Sequence, residues 1–207
     1  MEAQEHMLKV RLISEMEKVL PTREPSGDGA VSRWSVLKGE RSSFQIAYYG
    51  DVERKQTGTI RVEAPDGICV HVKKVGLSPC AYPCHRERDE GYLTAEPGMY
   101  PDVLEDITEF GFPIISGQWR SLWIEVETSE TTPAGEYPIE FTLESAACAP
   151  GMKPLSAKIG VTAEVIDAVL PELNLIHTEW FHCDCLADYY KTEIFSEPHW
   201  RIIENFV

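Results

Sequence analysis

From Leu8 to about Ile166 apolar and polar residues alternate in short runs, separated by turns rich in Gly, Pro and Asp. A period of two is that of a strand whose successive side chains face opposite sides, one buried and one wet. Val10 and Leu12 open the series, with a further short strand expected at Val19-Leu20. Ser43–Tyr49 follows the Gly39-Glu40 turn and alternates Phe44, Ile46 and Tyr48 against Ser43, Gln45 and Ala47. Thr59–Val62 and Ile68–Val75 flank Pro65-Asp66-Gly67, which reads as a hairpin. Leu122, Ile124 and Val126 share one face of Arg120–Val126, and Thr132–Tyr137 turns the chain into Ile139–Leu143. Ser156–Val165 is the last strand or pair of strands.

About eight such strands with no helix-period stretch between them predict a mainly β fold, an antiparallel, immunoglobulin-like β-sandwich, because a parallel sheet calls for crossover helices. Residues 79–117 interrupt the pattern with Pro, Gly and many acids, and read as a long decorated loop. At Pro171 the pattern changes. Leu173–Thr178 is a short apolar strand, Glu179–Cys185 a loop dense in polar and aromatic groups, and Ser196 an N-cap. The cap opens a helix with Trp200, Ile203 and Phe206-Val207 at helical spacing. The expected division is residues 1–170 as a sandwich and 171–207 as one strand-loop-helix unit. A (β/α)8 barrel needs about 250 residues, so this unit is expected to be the start of a truncated barrel in a longer protein.

Composition narrows the function classes. Apolar residues make up 43% of the 207 and charged residues 26%, ordinary for a folded domain. With 19 Lys and Arg against 34 Asp and Glu, the net charge of −15 repels phosphate backbones and anionic lipid, so neither nucleic acid nor membrane is an expected partner. The N-terminus has no basic start followed by an apolar stretch, and a cytoplasmic location with reduced cysteines is expected.

Two long segments carry a resemblance. Asn174–Tyr190 (NLIHTEWFHCDCLADYY) and Phe195–Phe206 (FSEPHWRIIENF) resemble the opening of the barrel in the domain-of-unknown-function 4091 group, related to glycoside hydrolase family 123. Gly39–Gln45, Met99–Asp102 and Pro133–Tyr137 are similar to the N-terminal sandwich of the same proteins. The resemblance implies a non-catalytic sandwich followed by a barrel that removes β-linked N-acetylgalactosamine. In that chemistry the substrate's own acetamido oxygen attacks the anomeric carbon, assisted by an adjacent Asp-Glu pair. The pair is expected beyond Val207, and the carbohydrate partner is expected to bind through the barrel.

His177, Trp180, His182 and Asp184 follow the expected first barrel strand, at the end where barrels build their sites, and are the candidate substrate-binding residues. An indole offers a face to a sugar ring, and imidazole or carboxylate can bond its hydroxyls. Asp89-Glu90 is an adjacent acidic pair, but it lies in the loop of the sandwich beside Arg86 and Arg88 and reads as a solvated charged stretch. Cys80, Cys84 and His85 with His182, Cys183 and Cys185 could supply zinc ligands, yet neither spacing is a strong zinc pattern, and no metal or cofactor is expected. Trp119 and Trp123 share a strand face, as a sugar platform or, more commonly, as core. Tyr137 reads as a tyrosine tying a turn to the sandwich edge. The competing reading is a self-contained carbohydrate-binding module without catalysis.

Overall fold

The computed structural model describes residues 7–52, 55–81, 91–146, 154–172, 174–176 and 182–206. The chain divides into two compact units, Met1–Leu170 and Pro171–Val207. The described residues of the first contain ten strands: β1 (Met7–Ile13), β2 (Arg33–Lys38), β3 (Arg41–Asp51), β4 (Gln56–Glu63), β5 (Ile68–Cys80), β6 (Gly98–Asp106), β7 (Phe112–Ile114), β8 (Trp119–Thr128), β9 (Gly135–Ser145) and β10 (Ser156–Val169). They form two five-stranded sheets, in the orders β1-β3-β8-β5-β6 and β2-β10-β9-β4-β7.

The alternation read from the sequence determines which faces meet. Ile46 and Tyr48 of β3 and Leu122, Ile124 and Val126 of β8 point inward from one sheet, and Ile139, Phe141 and Leu143 of β9 from the other. All are fully or almost fully buried. At about 1.5–3 kcal/mol per buried apolar side chain, this layer is the main source of stability. Tyr48 reconciles its hydroxyl with burial by donating to the Pro113 carbonyl at 3.0 Å. The burial pushes that phenol's pKa upward, opposed by the charge of Arg120.

Several expectations are corrected. Pro65-Asp66-Gly67 turns the chain, with the Ile68 N–H donating to Pro65 O at 3.3 Å, but it closes no hairpin. Strand β4 pairs with β7 and β9, whereas β5 pairs with β6 and β8, so this turn carries the chain from one sheet to the other. Only β5–β6 and β9–β10 are consecutive strands that pair. The sheets are not wholly antiparallel, because β2 runs parallel to β10. A parallel pair needs a long crossover; here the intervening strands supply it, so no helix is required.

Residues 79–117 hold β6 and β7, not an irregular loop throughout. As the edge of its sheet β6 is exposed along most of its length, so no alternation marks it, and an edge tolerates Pro101. Val19-Leu20 forms no strand. Val19 instead packs with Ile13, Ala47 and Trp119 on the outer face of the first sheet. Gln45 holds this covering segment, donating from Nε2 to the carbonyls of Ser14 (3.0 Å) and Glu17 (2.8 Å) while Oε1 accepts from Ser121 Oγ.

Strand β7 reaches β4 through a close approach that only glycine permits. Gly111 has φ +67°, and a Cβ there would overlap the Gly58 carbonyl oxygen. The Phe112 ring in turn lies against Gly58, where a side chain would collide with it.

Lys38 on β2 donates to Asp167 on β10. That hydrogen bond, reinforced by the ammonium's charge, holds the Asp167 carboxyl below the usual carboxylate range. A lowered carboxylate contributes stability above its unfolded pKa, and the contribution is lost as pH falls through the folded value. In an NMR titration Lys38→Met should move the Asp167 midpoint up towards an ordinary aspartate. An unchanged midpoint would show that the pair does not form in solution.

In the second unit α1 (Cys183–Tyr190) and α2 (Glu197–Phe206) are the regular elements among the described residues. The apolar strand expected at Leu173–Thr178 is not found where it is described. Asn174–Ile176 are irregular, with Leu175 and Ile176 84% and 89% exposed, because a strand draws its hydrogen bonds from neighbours and none lies beside it among the described residues. No helix among the described residues is long and apolar enough to cross a membrane.

Candidate functional site

The site is built from the start of α1. His182 occupies the N-cap position with φ −84° and ψ 87° but makes no side-chain capping bond, so its imidazole is free to point outward. Asp184 lies in the first turn, where the helix dipole favours a negative charge. Helix α1 thus starts inside the stretch expected to be a loop, taking Cys183 and Cys185 into its first turn. His182 Nδ1 and Asp184 Oδ1 stand 3.9 Å apart, with the side chains 92% and 62% exposed. That distance is too long for a direct hydrogen bond but lets one hydroxyl between them bond to both, as donor to the carboxylate and partner to the imidazole. The structure therefore brings these two candidates together. His177 and Trp180 lie outside the described residues.

The residue that sequence reasoning missed is His199. It is fully buried. Its Nδ1 accepts the Phe195 N–H at 2.8 Å, which assigns the proton to Nε2, and Nε2 donates to the Cys183 carbonyl at 2.8 Å. One imidazole thereby joins the first turn of α2 to the first turn of α1, beside His182 and Asp184. Ser196 stands at the N-cap of α2 as expected, its carbonyl accepting from the Trp200 N–H. Its hydroxyl, however, donates back to Glu193 O, and His199, three residues on, takes the place that Glu or Gln holds in a capping box. Ser196-x-x-His199 was the available signal. The Phe195 ring stacks on Trp200 at 5.5 Å, and both remain about half exposed.

In the first unit Trp119 is 6% exposed, packed 5.3 Å from Tyr49, and so belongs to the core and not to a platform. Trp123 is half-buried, and its indole N–H has no hydrogen-bond partner among the described residues. It borders a cleft of about 450 Å³ that Trp34, Glu40 and Arg41 also line. The Tyr137 hydroxyl donates to Pro133 O at 2.8 Å, the tie expected of it. No group of three or more His, Cys, Asp or Glu side chains suited to a metal occurs among the described residues. Cys84, His85 and the Asp89-Glu90 pair lie outside them.

Helix α1, α2 and the candidate pair fall within one sequence match: residues 180–207 match the catalytic domain of glycoside hydrolase 123. The chain is similar to glycoside hydrolase family 123. A solved structure of a family 123 glycoside hydrolase from Clostridium perfringens, described for glycolipid glycan hydrolysis, superposes with a TM-score of 0.64 at 15% identity over 96% of this chain. At that identity the likeness is one of fold. The chain spans 35% of that protein's length. Alpha-2-macroglobulin from Escherichia coli (TM-score 0.40, 12% identity, 77% of this chain and 17% of that one) and the seventh ScaB type I cohesin from Pseudobacteroides cellulosolvens (0.36, 11%, 83% and 99%) are too distant to carry weight. No curated protein matches the chain.

Proposed function

We propose that residues 1–207 are the non-catalytic N-terminal portion of a cytoplasmic glycoside hydrolase that acts on β-linked N-acetylhexosaminides. Its nearer kin are the domain-of-unknown-function 4091 proteins. Residues 1–170 are an immunoglobulin-like sandwich serving as scaffold, and residues 171–207 the first strand-loop-helix unit of a (β/α)8 barrel. One observation carries this reading. The family 123 catalytic-domain match falls in the small C-terminal unit, while the fold likeness to a family 123 enzyme extends over nearly the whole chain.

In this reading the acetamido group of the substrate is the nucleophile, and the Asp-Glu pair that orients it and protonates the leaving oxygen lies beyond Val207. His182 and Asp184, with His177 and Trp180, bind sugar hydroxyls and a ring face at the rim. The free cysteines Cys69, Cys80, Cys183 and Cys185 suit a reducing compartment. The substrate is a neutral carbohydrate bound by the barrel, with neither nucleic acid nor membrane as partner.

The test compares the full-length gene product with residues 1–207 on a fluorogenic β-N-acetylgalactosaminide. Turnover by the long form alone is expected, with His182→Ala and Asp184→Ala each raising KM about ten-fold, the loss of roughly one hydrogen bond to a charged or polar partner. Turnover by residues 1–207, or none by either form, would overturn the proposal.

The cleft beside Trp123 and Trp34 favours a second reading, a carbohydrate-binding module complete in itself. That reading requires residues 1–207 to bind N-acetylhexosamine oligosaccharides, and Trp123→Ala to abolish the binding.

A further inference from the structure

The outer face of the first sheet, in the first unit, carries a thiol beside an imidazole. Cys69 and His71 are two residues apart on β5, so both project to the same side, away from the core that Val70 and Val72 enter. Cys69 Sγ lies 3.4 Å from His71 Nε2. The same nitrogen is 3.6 Å from Glu127 Oε2 on β8, and that oxygen also receives Arg41 Nη2 at 2.9 Å. Register places Cys69 directly opposite Glu127 and His71 opposite Glu125.

Access is open. The thiol is exposed, and the side chains of His71 and Glu127 are 49% and 40% exposed. On its other side β5 is paired with β6 only from Lys73 onward, so no strand flanks Cys69 and His71 there among the described residues.

The shared nitrogen decides what chemistry the group can do. A catalytic triad uses both imidazole nitrogens, one towards the nucleophile and one towards the carboxylate. Here thiol and carboxylate meet at Nε2, so the arrangement is not built for turnover. It is built for one proton transfer. Nε2 lies within reach of the thiol proton, and an N–H formed there would face both the sulfur and the Glu127 carboxylate.

We propose that Cys69 is a modification site for a small neutral hydroperoxide, with His71 as its base. The thiolate sulfur attacks one peroxide oxygen, the S–O bond forms as the O–O bond breaks, and His71 returns the proton to the departing hydroxide. Thiol and hydrogen peroxide become sulfenic acid and water. Sulfur is oxidised by two electrons and the peroxide reduced by two, with no other co-reactant. The carboxylates of Glu125 and Glu127 disfavour an anionic electrophile at this face, which selects the neutral class.

The test treats residues 1–207 with hydrogen peroxide in the presence of dimedone and follows the Cys69 adduct by peptide mass spectrometry. General-base assistance of this kind is worth about 100-fold when fully aligned, so at this exposed face His71→Ala should slow the Cys69 adduct by about ten-fold. Because His71 is exposed, its removal opens no core, and His71→Gln, whose amide reaches about as far as Nε2 without being a base, supplies a second variant. The proposal is overturned if Cys69 reacts as fast in both variants as in the parent, or if its adduct forms no faster than that of Cys185, the other exposed thiol among the described residues.

Discussion

Phe141→Ala should lower the unfolding free energy of the two-sheet unit by about 3–5 kcal/mol, the range for deleting a fully buried aromatic ring. Phe141 has no exposed surface. Its ring meets Phe44 of the facing sheet edge-on at 5.9 Å and 82°, and Val62 and Ile159 flank it on the two neighbouring strands. The space it leaves cannot close easily, because it is bounded by hydrogen-bonded backbone on both sides of β9 and by a second sheet above. Phe110→Ala is the matched control. That ring is 77% exposed, and its loss should stay within about 0.5 kcal/mol. Urea unfolding followed by near-UV circular dichroism separates the two, and equal effects would mean that the sheets do not enclose the core described.

His199→Ala should unfold the C-terminal unit while the sheets persist. The substitution leaves a cavity and removes both hydrogen bonds of the imidazole, the one from the Phe195 N–H and the one to the Cys183 carbonyl, which together tie α1 to α2. Each lost hydrogen bond costs about 0.5–1.5 kcal/mol, and α1 has a single fully buried residue of its own, Ala187, to resist. His199→Phe leaves an aromatic ring in the cavity and loses the hydrogen bonds, so it bears mainly on the polar contribution. Hydrogen exchange at residues 183–206 should rise sharply in both variants, with the amides of β3 and β8 unchanged. Retained protection in His199→Phe would show that packing, not the imidazole bridge, holds the helices.

How far the sequence foretells this structure depends on whether a residue's burial is local. In β3 and β8 every second side chain enters the core, and alternation alone locates the strands and their inner faces. In β6 only Pro101 is buried, so there is no alternation to read. The turn at Pro65-Asp66-Gly67 encodes a reversal, but nothing in three residues says which sheet the next strand joins. Helix α1 is only eight residues long, too short for a helical period to stand out. At the candidate site the sequence pointed to His182 and Asp184 as polar groups near one another. It missed His199 because a histidine with both nitrogens satisfied indoors looks, in sequence, like one in solvent.

The parallel pairing of β2 with β10 dictates the order of events during synthesis. Residues Arg33–Lys38 are made early, yet the strand that supplies their ladder begins at Ser156. Until then Val36, which is buried in the finished protein with Ala163 and Val165, has no strand beside it to pair with. Because seven of the nine steps from strand to strand change sheets, few contacts can form between chain neighbours. Such non-local topologies fold in milliseconds to seconds, not microseconds. A nascent chain that has not yet passed β10 must therefore carry an open sheet edge on the ribosome, and it is there, before the C-terminal unit emerges, that this protein is most exposed to misassembly.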